Sequence, residues 1–217
     1  LQGLRDHAVK ENVSAAKLLG IPESAAITCV KPSGTVSQLV DSSSGIHPRH
    51  SSHFIRRVRN DKKDPISNVM IEAGVSYHSD PRNDGAWVFE FGMKSPKGAI
   101  TRHDITALQH LDIWKRFALN WCEHKPSITV SVRENEWVEV GAWVHKNFNI
   151  LSGVSFLPHA DDDHSYESAP YEDCSPETYR KLAKTLPAEI DWDAVKEEDD
   201  QTIASQEFAC MAGECEI

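Results

Sequence analysis

Segments with strand-like apolar patterns alternate with helical patterns along residues 1–158. Strands are predicted at residues 25–30 and in the segments FIRRVRND, AWVFEFGM, SITVSV and GVSFLP. Helices are predicted in DPISNVMIEAG and ENEWVEVGAWVHKNF. A further helix is predicted where apolar residues recur three and four positions apart: Ile105, Leu108, Leu111, Trp114, Phe117, Ala118 and Trp121. This alternation indicates an α/β architecture with a largely parallel sheet.

The character of the sequence changes near His159, where the apolar patterns end. We interpret residues 1–158 as one α/β unit and residues 159–194 as a polar extension with one short helix near residues 176–186. Residues 195–217 are acidic and poor in core candidates, so we interpret them as a mobile tail. The chain begins with Leu1 rather than Met, and we expect it to be a fragment of a longer protein.

Composition and charge argue against several classes of protein. The formal net charge of −10 disfavours binding to a nucleic-acid backbone. No apolar run reaches the ~18 residues that a membrane-spanning helix needs. Five scattered cysteines do not fit a secreted disulfide framework. We therefore expect a reduced, cytoplasmic protein.

The segment AITCVKPSGTVSQL, residues 26–39, has the pattern of a strand, a turn of small residues and the start of a helix. Backbone N–H groups at a helix start favour an anion, and Gly34 allows an oxyanion to approach the backbone closely. The turn adds three hydroxyl groups and one ammonium group: Ser33, Thr35, Ser37 and Lys31. One interpretation is a phosphate site, and the other is that Ser33 only caps the helix.

Longer motifs resemble one enzyme family. CVKPSGTVSQLVDSSSGIHPRHSSHFIRRVR is similar to a segment of the class II, adenosylcobalamin-dependent ribonucleotide reductases. WCEHKPSITVSV, EWVEVGAWVHKNF, LSGVSFLP and the ending SQEFACMAGECEI resemble the same family, in the same order. The resemblance implies that residues 1–158 are the C-terminal portion of a ten-stranded α/β barrel built from two parallel halves. The ending resembles the monomeric branch, which uses ribonucleoside triphosphates.

The resemblance also implies roles for particular residues. The family's binding site for substrate phosphates matches six consecutive positions: Pro32, Ser33, Gly34, Thr35, Val36 and Ser37. Cys210 and Cys215 match tail cysteines that re-reduce the active site and are recharged by thioredoxin or a similar dithiol. Adenosylcobalamin supplies the radical in this family. The expected activity is radical-based reduction of ribonucleoside triphosphates to deoxyribonucleotides.

The chain also departs from that family. It has no Asn-x-Cys-x-Glu motif for the radical-bearing finger loop, and no match to the two barrel cysteines. We expect the missing N-terminal part of the barrel to lie in the same chain or in a separate subunit. The strand GVSFLP has no Tyr-Tyr pair, which favours a cofactor-generated radical over a class I relay. The alternative is an accessory nucleotide-phosphate-binding module, or a split subunit without catalytic activity of its own.

Several other residues have two interpretations. His47 and Arg49 lie in the loop after the turn and could line the active site or the cobalamin face. A solvated loop is favoured over a divalent-ion site for the cluster His159, Asp161, Asp162, Asp163 and His164. A solvated strand edge is favoured over nucleotide attraction for Arg56, Arg57, Arg59, Lys62 and Lys63.

The remaining cysteines are interpreted structurally. Cys29 lies on a predicted strand and is expected in the core, because buried cysteine behaves as a small hydrophobic residue. Cys122 follows a helical tryptophan and is expected to be structural. Cys174 lies in a polar loop and has no assigned role.

Overall fold

The computed structural model describes residues 1–159 and 167–196. Within them the helices α1–α6 span Gln2–Leu19, Val36–Leu39, Pro65–Glu72, Ala107–Asn120, Trp137–Lys146 and Pro176–Thr185. The strands β1–β6 span His53–Asp61, Tyr77–Asp80, Asn83–Lys94, Ile128–Val132, Val154–Pro158 and Tyr171–Asp173. Short 3-10 helices occupy Glu134–Glu136 and Trp192–Ala194. The described residues form two compact units: residues 1–49 with 100–159, the first unit, and residues 50–99 with 167–196, the second unit.

The core of the first unit lies between α4, β4 and α5. Helix α4 begins with a capping box, in which the Thr106 hydroxyl accepts from the Gln109 N–H at 3.1 Å and the Gln109 side chain accepts from the Thr106 N–H at 2.8 Å. The fully buried side chains of Leu111 and Trp114 on α4 belong to one apolar cluster with Val130 on β4. The three- and four-residue periodicity therefore predicted this helix and its buried face correctly.

Strands β4 and β5 pair in parallel, with Ile128 opposite Val154. Gly153 sets the start of this pairing, because its carbonyl accepts from the Ile128 N–H at 2.9 Å. Its φ of +63° lies in the left-handed region, and a Cβ there would stand 2.6 Å from the Pro126 carbonyl oxygen. Only glycine adopts this conformation at this approach without strain.

The second unit is built on a four-stranded sheet in the order β2-β3-β1-β6, and every adjacent pair in it is antiparallel. Helix α6 packs closely on β3, since a Cβ on Gly92 would stand 3.1 Å from the Leu182 Cβ and 3.1 Å from the Tyr179 carbonyl oxygen. Asp64 caps α3 by accepting from the Ile66 N–H at 2.9 Å.

Two expectations from the sequence are wrong. The mixed α/β character is confirmed, but the expectation of a largely parallel sheet is wrong. The four-stranded sheet is antiparallel, and among the described strands only β4 and β5 pair in parallel. Residues 25–30 form no strand. Their polar backbone groups bind the segment after α4 instead: the Thr28 N–H donates to the Glu123 carboxylate at 3.2 Å, and the Glu123 N–H donates to the Thr28 carbonyl at 2.9 Å.

In the parts of the chain described here, no helix has the length and apolar character needed to cross a membrane.

Candidate functional site

The turn at residues 31–37 is held from within by its serines. The Ser33 N–H donates to the Ser44 hydroxyl at 2.7 Å, which ties the turn to the loop that follows α2. The Ser33 hydroxyl accepts from the Ser37 N–H at 3.0 Å, and the Ser37 hydroxyl donates to the Ser33 carbonyl at 2.6 Å. The capping role foreseen for Ser33 is thus present, although the residue directly before α2 is Thr35, whose side chain makes no cap.

The outer side of the same turn is open. Gly34, Thr35 and Val36 are exposed, and no described residue accepts a hydrogen bond from their backbone N–H groups. A Cβ on Gly34 would meet nothing within 4 Å. Because α2 has only four residues, its dipole adds little, and the available donors are these N–H groups and the Thr35 hydroxyl. They suit an oxyanion that approaches from solvent.

Lys31 stands at the entrance of this turn. Its exposed ammonium group donates to the Ser127 hydroxyl at 2.9 Å, a contact to the residue just before β4. Gly45 lies behind it, with φ of +56° and a virtual Cβ 2.8 Å from the Lys31 carbonyl oxygen. The close approach of Gly45 therefore fixes the backbone from which the turn departs.

His47 supports the loop behind the turn. Its Nε2 accepts from the Thr129 N–H at 2.9 Å, so its Nδ1 carries the proton and donates to the Ser44 carbonyl at 2.7 Å. The His110 ring lies edge-on at 5.6 Å, and its Nε2 donates to the Ile46 carbonyl at 3.1 Å. Burial lowers the pKa of His47, and burial together with the repulsion that a protonated His47 exerts lowers the pKa of His110 to about 4. Both imidazoles are neutral near pH 7.

The sequence singled out His47 but missed Ser44 and His110. Ser44 is one of three consecutive serines, and His110 lies among the polar positions of a strong helical pattern. Neither residue carries a motif, and their contribution depends on contacts between segments far apart in the chain.

His47 and Arg49, whose loop could line the active site or the cobalamin face, both make contacts inside their own unit. Both ring nitrogens of His47 are occupied by backbone groups of its own unit. The Arg49 guanidinium is buried and bound to Asp41, with Nη2 2.8 Å from the carboxylate oxygen Oδ1. Both side chains therefore hold the loop that follows the turn.

The basic strand β1 is not a solvated edge, and that expectation is wrong. It lies between β3 and β6 in the sheet. Arg57 is buried and paired with Glu90, with Nε and Oε1 2.8 Å apart, and with Glu172. Arg59 pairs with the buried Asp80 at 2.8 Å. The positive charges of these guanidinium groups are balanced by carboxylates inside the second unit, so they are unsuited to attract a nucleotide.

The cysteines have different environments. Cys29 is partly exposed rather than in the core, so that expectation is wrong, and its Sγ lies 4.0 Å from the His124 Nδ1. Cys122 and Cys174 are also partly exposed. Cys210 and Cys215 lie outside the described residues, as do Asp161, Asp162, Asp163 and His164. His159 is described, and within the described ranges no group of three or more His, Cys, Asp or Glu side chains could hold a metal ion.

Comparison with known proteins gives a consistent result. A probable adenosylcobalamin-dependent ribonucleoside-triphosphate reductase of Dictyostelium discoideum is 33% identical over 77% of this chain and 22% of its own length. The adenosylcobalamin-dependent ribonucleoside-triphosphate reductase of Euglena gracilis is 25% identical over 91% of this chain and 27% of its own length. No family model matches the chain.

The structure agrees with these sequence matches. It superposes on a crystal structure of a B12-dependent (class II) ribonucleotide reductase with a TM-score of 0.72 and 24% identity, covering 87% of this chain and 26% of the other. The chain spans about a quarter of the length of the curated relatives it matches. It is therefore similar, over most of its own length, to adenosylcobalamin-dependent ribonucleoside-triphosphate reductases, and it has the fold of part of a class II ribonucleotide reductase.

Proposed function

We propose that this chain is the phosphate-holding part of an adenosylcobalamin-dependent ribonucleoside-triphosphate reductase. The observation that carries the proposal is that Gly34, Thr35 and Val36 are exposed and that their backbone N–H groups have no acceptor among the described residues. It lies in the segment that resembles the family's phosphate site. Ser33 and Ser37 hold the turn in shape, and the exposed backbone and the Thr35 hydroxyl donate to the phosphate oxygens. Ser33 and Ser37 are thus proposed to shape the site rather than to donate to the ligand.

The remaining chemistry is divided between this chain and residues it does not contain. The radical-bearing Asn-x-Cys-x-Glu motif is absent from the sequence, so residues 1–158 are proposed to position the triphosphate as one part of the barrel. When bound, adenosylcobalamin supplies the radical. Cys210 and Cys215 are proposed to pass electrons from thioredoxin or a similar dithiol to the active-site disulfide by thiol–disulfide exchange. This division fits a protein of the reducing cytoplasm.

The test uses the complete gene product. It should convert ribonucleoside triphosphates to deoxyribonucleotides when both adenosylcobalamin and a dithiol are present, and it should fail when either is omitted. The 217-residue chain alone should show no turnover, because it lacks the radical cysteine. Turnover of the complete protein that needs a di-iron partner subunit instead of the cobalamin would overturn the class. Turnover by the isolated chain would overturn the division proposed above.

A further inference from the structure

His47 takes the place of a neighbouring strand on one edge of β4. Successive N–H groups of a strand point to opposite edges, and the Ile128 N–H donates toward β5, to the Gly153 carbonyl at 2.9 Å. The Thr129 N–H therefore points away from β5, to an edge at which no other described strand pairs with β4. Its acceptor is the imidazole of His47, with 2.9 Å between the Thr129 nitrogen and Nε2. A side chain thus supplies the acceptor that a strand carbonyl would otherwise provide.

The same imidazole fixes the loop that carries Ser44. A backbone N–H can only donate and a carbonyl can only accept, so Nε2 is the acceptor and Nδ1 carries the proton. Nδ1 donates to the Ser44 carbonyl at 2.7 Å, and the Ser44 hydroxyl accepts from the Ser33 N–H at 2.7 Å. The position of Ser33 in the turn is therefore set by β4 through two side chains.

A second contact joins the start of the turn to the same stretch of backbone. The Lys31 ammonium donates to the Ser127 hydroxyl at 2.9 Å, and the Ser127 N–H donates to the Val30 carbonyl at 3.4 Å. Ser127 and Thr129 are two positions apart, so their N–H groups point to the same side. The chain that enters the turn and the loop that leaves it are both fastened there.

Of these two contacts, the one through His47 restricts the turn more. The His110 ring packs edge-on against the imidazole, with 5.6 Å between the ring centroids, and its Nε2 donates to the Ile46 carbonyl at 3.1 Å. The ring and its neighbour in the chain are thus both held. Lys31 makes its contact with the end of a long, exposed side chain, which loses more conformational entropy when it is fixed.

We propose that His47 is a positioning residue for the phosphate turn, because it holds the turn against β4 in the shape that a triphosphate needs. The inference rests on the proposed function, since it assumes that the exposed N–H groups of Gly34, Thr35 and Val36 bind phosphate. His47 does not bind the phosphate itself, because both of its ring nitrogens are used by backbone groups. Without the imidazole the turn would be free to move relative to β4, and ordering it on binding would cost free energy.

The test compares His47→Phe with His47→Gln in the complete gene product. Phenylalanine keeps an aromatic ring but has no acceptor, whereas the glutamine amide can accept from the Thr129 N–H and donate to the Ser44 carbonyl. Equilibrium binding of CTP is measured at pH 7, after denaturant titrations have shown that each variant is folded. We expect affinity about fivefold to tenfold weaker in His47→Phe and closer to the wild type in His47→Gln. The control is the exposed His145→Phe, which should bind like the wild type.

Kinetics and a second variant separate positioning from a general loss of stability. The KM for CTP should rise in His47→Phe by about the factor lost in affinity, whereas a smaller fraction of folded enzyme would lower kcat and leave KM unchanged. Ser44→Ala should weaken binding in the same way, and it decides the question if His47→Phe does not fold. Combining the two substitutions should add little, because both break the same chain of hydrogen bonds.

Gly34→Val distinguishes the two ways in which this inference can fail. If Gly34→Val leaves the affinity for CTP unchanged, the turn does not bind phosphate, and the proposed function fails together with the role of His47. If Gly34→Val weakens binding while His47→Phe and Ser44→Ala do not, the phosphate site stands and the positioning role is overturned. Equal losses of affinity in His47→Phe and His145→Phe would overturn it as well.

Discussion

The Nε2 atom of His47 accepts a hydrogen bond from the backbone N–H of Thr129 at 2.9 Å. The same ring donates through Nδ1 to the Ser44 carbonyl, and the Ser44 hydroxyl accepts from the Ser33 N–H. Strand β4, the imidazole, the loop and the turn are therefore connected by one chain of hydrogen bonds. Protonation of Nε2 would place two donors against each other and break the first link.

The buried histidines make the stability of the first unit depend on pH. Their pKa values are lowered in the folded state, so the unfolded chain binds protons more readily, and stability is full above pH 6.5 and is lost as the pH falls. For His110 this loss of stability extends from pH 6.5 down to about pH 4, and it amounts to roughly 3 kcal/mol in the free energy of unfolding. Denaturant titrations at several pH values measure it. His110→Gln should flatten the dependence, whereas exposed His145→Gln should not, and equal slopes in both variants would contradict the assignment.

Gly34 and Gly45 form a matched pair for testing the phosphate turn. A side chain on Gly34 projects into open space, so Gly34→Val should leave the melting temperature nearly unchanged, yet block the approach of phosphate oxygens. We expect nucleotide affinity of the complete enzyme to fall by about tenfold or more, equivalent to ~1.4 kcal/mol. Equilibrium binding of a ribonucleoside triphosphate measures this. Unchanged affinity would limit the turn to its structural role.

Gly45→Ala should behave in the opposite way. The backbone of the new alanine must keep φ of +56°, and its Cβ would stand 2.8 Å from the Lys31 carbonyl oxygen. Left-handed backbone alone costs about 1–2 kcal/mol for a residue with a Cβ, so the variant should unfold at lower denaturant concentration. Chemical denaturation of both variants side by side separates a lost ligand contact from a distorted fold. A Gly45→Ala protein as stable as the wild type would show that the backbone there relaxes freely.

Arg57 should be a main contributor to the stability of the second unit. Its guanidinium binds Glu90 and Glu172 and also donates to the Ala169 carbonyl at 3.2 Å. Arg57→Met leaves two partly buried carboxylates without their partner, so we expect a loss of about 3 kcal/mol in the free energy of unfolding. Adding Glu90→Gln should recover part of it. The control is Arg180→Met on α6, where the exposed guanidinium donates to the Pro176 carbonyl and to no other group among the described residues, and the expected change is under ~0.5 kcal/mol.

The tail cysteines should separate one step of turnover from the next. In the complete enzyme, Cys210→Ser or Cys215→Ser should spare a single turnover of pre-reduced protein and abolish multiple turnover with thioredoxin. A small dithiol that reaches the active site directly should restore part of the activity. Rapid-quench and steady-state assays measure the two regimes. Thioredoxin-driven turnover that survives both substitutions would remove the tail from the electron path.

Local patterns predicted local structure well. The periodicity of α4 gave both its position and the burial of Trp114, and Pro65 marked the start of α3. Residues 25–30 misled for a physical reason. Their β-branched side chains favour an extended backbone, but a strand also needs a partner, and the Thr28 N–H is satisfied by the Glu123 carboxylate.

Contacts between distant segments were beyond the reach of the sequence patterns. Arg57 looked exposed because isolated charged residues usually are, yet it lies directly opposite Glu90 in the β1–β3 register. No spacing rule connects Arg57 with Glu90, and none connects His47 with Thr129. The pattern of the turn left a phosphate site and a helix cap both open, and its six residues are proposed as a phosphate site because their order resembles that of the family.

Gly153 decides which side chains β5 turns toward the core. Any residue with a Cβ would have to displace the Pro126 carbonyl oxygen, so a glycine lets the chain pass this close to Pro126. The next residue, Val154, then starts the strand opposite Ile128. Starting the strand one residue later would exchange the half-buried Val154 and Phe156 for Ser155 and Leu157, because neighbouring strand residues face opposite sides. The close approach at Gly153 thus fixes the residue at which β5 starts, and with it which side chains of the whole strand face the core.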